Sequence, residues 1–154
     1  MKKIILIMSI AVGIYACSGN AAKQGETAQQ STTESGNPSY DPERGTGKFT
    51  KVEIPATLDK TLADAGNKVY DVKCSSCHKL TTEKLVGPGW SGVTSRHKPE
   101  WIMNFVTNTD EMLQKDSKAQ AMLEICLVRM PNQNLTDEDA RNVYEFMRKN
   151  DGVK

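Results

Sequence analysis

Two cysteines three positions apart with a histidine directly after them, Cys74-Ser75-Ser76-Cys77-His78, put two thiols and an imidazole on one short stretch of chain. This C-x-x-C-H spacing is the attachment signature of a covalently held haem. Each thiol can form a thioether with one of two neighbouring vinyl groups, and the imidazole of His78 then lies under the iron as its proximal ligand. Other chemistries use the same side chains. A Cys74–Cys77 disulfide would suit an oxidising compartment, but redox C-x-x-C motifs follow a strand in a βαβ pattern, and no such pattern surrounds this one. A zinc site would need a fourth donor such as Cys126 or His97, and no second ligand pair stands at zinc spacing. A structural bridge to Cys126 would leave one of the three thiols unpaired.

An iron held on one face by His78 calls for a ligand on the other. Five methionines lie beyond the first ten residues: Met103, Met112, Met122, Met130 and Met147. Met103, Met122 and Met147 fall within predicted helices, where methionine serves mainly to fill a core. Met130 has a different setting, since Arg129-Met130-Pro131 opens a loop that ends at Leu135-Thr136. It is the first candidate, ahead of Met112 and then His97. Trp90 and Trp101 read equally as pocket walls or as core. Arg96 reads as a propionate partner or a solvated charge, and Cys126 as a small apolar residue.

These side chains need a scaffold, and the periodicity supplies helices. Leu58, Leu62, Ala65, Val69 and Val72 recur at three- and four-residue steps on a helix that runs into Cys74. Pro99 is a favoured first-turn residue and opens a second helix, with Trp101, Ile102, Phe105 and Val106 inward. A third spans about Ser117 to Val128, with Ala121, Met122, Ile125 and Leu127 together, and stops before Pro131. The last begins at Thr136, with Asp139 completing a capping box, and carries Ala140, Val143, Tyr144 and Met147 inward. Phe49 to Ile54 alternates apolar and polar residues, as an extended piece lying along the domain would.

The N-terminus has the pattern of a targeting segment: Lys2 and Lys3, then a short apolar run from Ile4 to Ile14. The run is too short for a transmembrane helix, which wants about 20 apolar residues. Its end at Ile14-Tyr15-Ala16-Cys17 resembles a bacterial lipobox, although Tyr15 departs from the usual small residue. That resemblance implies a signal peptide over residues 1–16 and acylation of Cys17, and Ser18 after the cysteine favours outer-membrane sorting. Residues 17–50 then read as lipid anchor and flexible, disordered linker, poor in large apolar side chains. Residues 51–154 form the one folded domain. Across the 154 residues, 20 basic and 19 acidic side chains nearly cancel, which excludes the basic stripe that nucleic-acid binding requires.

From about Leu58 to Asn150 the chain resembles the class I monohaem cytochromes c. Gly66 and Tyr70 match that family's small residue and aromatic ahead of the haem motif, Gly87-Pro88 its loop behind the imidazole, and Met130-Pro131 its ligand loop. The resemblance implies an all-α fold of four to five helices around one covalent haem c, with thioethers at Cys74 and Cys77. It implies His78 and Met130 as axial ligands, and Pro88 and Trp90 as cofactor contacts. Gly66 and Tyr70 would pack on the last helix at Tyr144. The implied activity is electron transfer between redox proteins of the cell envelope, without a small-molecule substrate and without enzymatic turnover. Gly45-Thr46-Gly47-Lys48-Phe49 onward is also similar to small lipoprotein cytochromes that accompany nitrous oxide reductase, which would make that enzyme the partner. The alternatives are a haem-based gas or redox sensor, or a peroxidase-like enzyme, if the sixth position is open.

Overall fold

The computed structural model describes residues 40–154. The signal peptide, Cys17 and the linker as far as residue 39 lie outside the described residues. Six helices follow in order: α1 (Lys60–Lys73), α2 (Val93–Arg96), α3 (Pro99–Thr107), α4 (Thr109–Lys115), α5 (Ser117–Cys126) and α6 (Asp137–Asn150). Among the described residues there is no strand, and no helix is long and apolar enough to cross a membrane.

Local chemistry sets the helix ends. The Asp59 carboxylate accepts from the backbone N–H groups of Thr61 and Leu62 and caps α1. Thr136 and Asp139 form the reciprocal capping box expected at α6, and Pro99 opens α3. The four-residue α2 begins after Gly92 in the left-handed region and is capped from a distance: Asp151 accepts from the N–H of Gly92 at 2.6 Å and of Thr94 at 2.9 Å.

The first and last helices make the main packing contact of the domain. The face that α1 buries carries Ala63, Gly66 and Tyr70. Val72, assigned to that face by periodicity, is 83% exposed. The register is set by Gly66, which lies directly against the Asn142 carbonyl and Phe146 of α6. The Tyr70 ring lies 5.4 Å from that of Phe146, tilted by 41°, so α1 meets α6 at Asn142 and Phe146. A second difference concerns α5. Its buried residue is Ala119, while Ala121, Ile125 and Leu127 face solvent. The helix stops at Leu127, whose φ of 61° is the left-handed conformation that ends helices and redirects the chain.

Residues 40–50 belong to the domain and not to the linker. Tyr40 Oη donates to Asp116 at 2.6 Å, and the buried Asn104 donates to the carbonyls of Arg44 and Phe49 and accepts from Phe49 N–H at 2.9 Å. The segment holds by backbone hydrogen bonds to side chains, which composition does not register. Beyond it, Phe49, Val52 and Ile54 pack on the core as an extended piece.

Gly66→Ala is expected to destabilise the domain by about 1–3 kcal/mol, because a methyl group there has only the α6 backbone to displace. Denaturant midpoints of the haem-loaded protein check this; an unchanged midpoint would mean that the two helices can part at no cost.

Candidate functional site

The C-terminal end of α1 delivers the motif. After Lys73 the chain turns at Cys74, whose N–H still donates to Tyr70 O, and the N–H groups of Cys77 and His78 both donate to Cys74 O at 3.0 and 2.9 Å. This tight turn presents both sulfurs and the imidazole to one side. Tyr70 Oη donates to the His78 carbonyl at 2.7 Å and locks the turn to the helix that precedes it.

His78 is oriented from behind. Its Nδ1 lies 2.9 Å from the Pro88 carbonyl oxygen, so Nδ1 carries the proton and donates, leaving Nε2 with its lone pair. This is the contact that the Gly87-Pro88 resemblance implies. Gly87 makes it possible, since a Cβ there would run into the imidazole ring. Burial lowers the pKa of His78 and outweighs the opposing effect of the Pro88 carbonyl. The ring is therefore neutral at pH 7, the form that can bind a metal. Burial likewise pushes the Cys74 thiol up to about 11, so this sulfur is a protonated thiol until it reacts.

In front of the imidazole the protein surrounds an apolar slot made of three adjoining clefts, the larger two of about 280 and 230 Å³. His78 and Met130 line all three. Cys74 and Cys77 border one cleft together, beside Trp90, Val106, Leu135 and Val143. Trp90 is buried and lies 5.7 Å from the His78 ring and 4.9 Å from Tyr70, so it forms a wall between the imidazole and α1. Phe105 from α3 and Met122 from α5 line two clefts each. The slot is mainly apolar, as a porphyrin face requires, and the two sulfurs, the imidazole and the Met130 thioether all border it. These residues fit a covalently attached haem.

Of the other candidates, all but Met112 border the slot. Met112 is fully buried beneath Gly45, its Sδ accepting from Thr46 N–H at 3.1 Å, and it lines none of the three clefts. Trp101 lines the 280 Å³ cleft and donates through Nε1 to Asp116 at 3.1 Å. Arg96 donates to the carbonyls of Ser91 and Gly89, and His97 stacks on Trp101 with ring centroids 4.1 Å apart. Cys126 is half-buried and borders the smallest cleft, as a wall residue. Cys74, Cys77 and Cys126 are all free thiols, so neither disulfide is formed. Among the described residues no three His, Cys, Asp or Glu side chains converge as metal donors, which leaves the zinc alternative without a ligand set.

Sequence reasoning passed over Met122 and Phe105 as slot residues, having treated both as core. Periodicity does not separate the two roles, because a helix face packed on a cofactor has the same apolar spacing as one packed on protein.

Residues 63–151 match the family described as cytochrome c. A cytochrome c from Rhodothermus marinus is 29% identical, with a TM-score of 0.69 over 72% of this chain and 97% of that one. An engineered cytochrome c from the same organism is 28% identical, with a TM-score of 0.68 over 72% of this chain and 98% of that one. A further engineered form, bound to a carbene intermediate, is 28% identical with a TM-score of 0.65 over the same shares. No curated protein matches the chain.

Gly87→Ala is expected to push the imidazole off the Pro88 carbonyl and to lower the yield of haem-loaded protein several-fold. Haem absorbance per mole of polypeptide measures this. Full loading would show that the ring is not clamped from behind.

Proposed function

The chain belongs to the cytochrome c family and carries one covalent haem c, and from that premise we propose that it passes single electrons between redox proteins of the cell envelope, with His78 and Met130 as the two axial ligands. One observation supports the ligand pair above others: these two residues line every cleft of the slot, whereas Met122 lines two and His97 one. When bound, the haem supplies a one-electron iron couple whose potential a thioether ligand raises relative to two imidazoles.

The chain's own groups then have distinct tasks. Pro88 O holds the proton of His78 on Nδ1 and keeps Nε2 aimed into the slot. Cys74 and Cys77 tie the turn after α1 to the cofactor edge. Leu127 in its left-handed conformation ends α5, and the chain returns through Arg129, whose guanidinium donates to Asp110 at 2.8 Å, to Met130 on the border of the slot. Trp90, Phe105, Val106, Leu113 and Leu135 exclude water, so the surroundings need little rearrangement when the charge changes. In this reading the domain acts as a carrier and not as an enzyme.

The setting of the carrier rests on the N-terminal sequence. Residues 1–16 act as an export signal and Cys17 as the acylated residue that anchors the protein, facing the periplasm from the outer membrane. Nitrous oxide reductase is the proposed electron acceptor, on the similarity of the region from Gly45 through the ligand loop to the cytochromes that accompany it. A second reading, in which the position opposite His78 opens to a small ligand for sensing or peroxide chemistry, draws on the engineered relative that holds a carbene intermediate.

Absorption spectra of Met130→Ala and Met122→Ala decide the ligand. The native protein and Met122→Ala are expected to show the sulfur-to-iron band in the oxidised state and no carbon monoxide binding when reduced, and Met130→Ala to lose the band and bind the gas. Carbon monoxide binding by the native protein would instead favour the second reading. Cys17→Ser is expected to move the haem protein from the membrane fraction to the soluble fraction; unchanged retention would exclude the lipid anchor.

A further inference from the structure

The largest apolar cleft of the slot has one polar end, built by Arg96 and His97 at the close of α2 and by Lys118 of α5. Two of these three groups already have protein partners. Arg96 donates to Ser91 O and Gly89 O, and Lys118 donates to Glu43 Oε1 at 2.5 Å. The third does not: His97 Nδ1 is buried without a hydrogen-bond partner. Its neighbours hold it in place. Asp151 fixes α2 from the other side through Gly92 and Thr94, and the imidazole lies flat on Trp101, with 16° between the planes. Burying a polar nitrogen unpaired is costly, and rigid neighbours prevent it from finding a protein partner. The porphyrin itself is apolar at its faces, and its acceptors are the two propionate carboxylates.

We propose that His97 holds a haem propionate through Nδ1–H at this end of the slot and that its Nε2 is a proton site coupled to the electron the domain carries. In the coupled step one electron passes from the reduced partner protein to the ferric site, the partner being oxidised, and one proton passes from bulk water to Nε2. No covalent bond is made or broken at the carboxylate. This rests on the reading of the domain as an electron carrier.

The charges around the imidazole fix the sign. Burial is the main cause lowering the pKa of His97, and Arg96 and Lys118 add to it, against the opposing carboxylates of Asp116 and Glu43. Reduction removes one positive charge from the slot and so raises the pKa of the imidazole. Between the lower pKa of the oxidised protein and the higher pKa of the reduced one, taking up an electron also takes up a proton. The midpoint potential then falls as pH rises through that window and is level on either side of it.

The test is a potentiometric titration of the haem-loaded protein and of His97→Asn across about pH 5–8, the range in which an imidazole titrates. Asn retains a donor and does not titrate. The native protein is expected to show the falling segment and His97→Asn a level line, with the oxidised and reduced spectra of both unchanged. A level native curve, or the same slope in His97→Asn, overturns the proposal. Should His97→Asn fail to retain haem, an NMR titration of the native His97 ring in both oxidation states serves instead: a higher pKa in the reduced state supports coupling, and equal values overturn it. The same samples separate this proposal from the reading of the ligands, since loss of Met130 ligation would appear in the sulfur-to-iron band and not in the pH slope.

Discussion

The crossing of α1 over α6 at Gly66 is the constraint from which the rest of the domain follows. A small domain that reserves its centre for a flat cofactor has given up the place where a core is usually built, and must hold itself together around the edge. With no side chain at Gly66, the two helices approach until backbone meets backbone at the Asn142 carbonyl. The close contact brings Tyr70 onto Phe146 and Trp90, and Tyr70 in turn anchors the carbonyl of His78. The chain of contacts therefore runs from a glycine buried in the helix crossing to the imidazole at the slot.

Around that crossing, buried charge is used as a fastener and not left to chance. Glu145 is fully buried on α6, and its carboxylate accepts from Arg141 at 2.5 Å, Arg148 at 2.6 Å and the backbone N–H of Asp59 at 2.8 Å. Arg148 Nη2 donates to the carbonyls of Pro55 and Ala56. A buried ion pair contributes little unless its charges find further hydrogen bonds, and here the Glu145 carboxylate accepts three and the Arg148 guanidinium donates three. The network binds the chain entering α1 to α6 and lies outside the slot.

Much of this was legible in the sequence, for reasons that differ from residue to residue. Cys74, Cys77 and His78 declare themselves because covalent attachment fixes their spacing within five positions. The ends of α3 and α6 were readable from Pro99 and from the Thr136–Asp139 pair, since capping is decided by residues a turn apart. The apolar faces were less so. Val72, Ile125 and Leu127 have helical spacing but point to solvent, because the close packing at Gly66 selects the small-residue face of α1, and α5 turns Ala119 and Met122 inward. Helices α2 and α4 escaped notice because each is short, and the cap of α2 comes from Asp151, 57 to 59 positions away.

The segment from Tyr40 to Thr50 shows most clearly where composition misleads. It is polar and glycine-containing, the character of a linker, yet it does for the α3–α5 half of the domain what direct helix packing does for the other. Asn104, wholly buried on α3, uses both ends of its amide to hold Arg44 and Phe49, and Gly47 is the residue that lets the chain pass close enough. Asp116 at the start of α5 is also fully buried and accepts from Tyr40 Oη, Trp101 Nε1 and Ala119 N–H. Three donors compensate one desolvated carboxylate, and the same carboxylate joins the arm, α3 and α5. Trp101 and Met122 face the slot from the elements it joins, so the far wall of the cofactor site is held in place by residues whose sequence reads as tether.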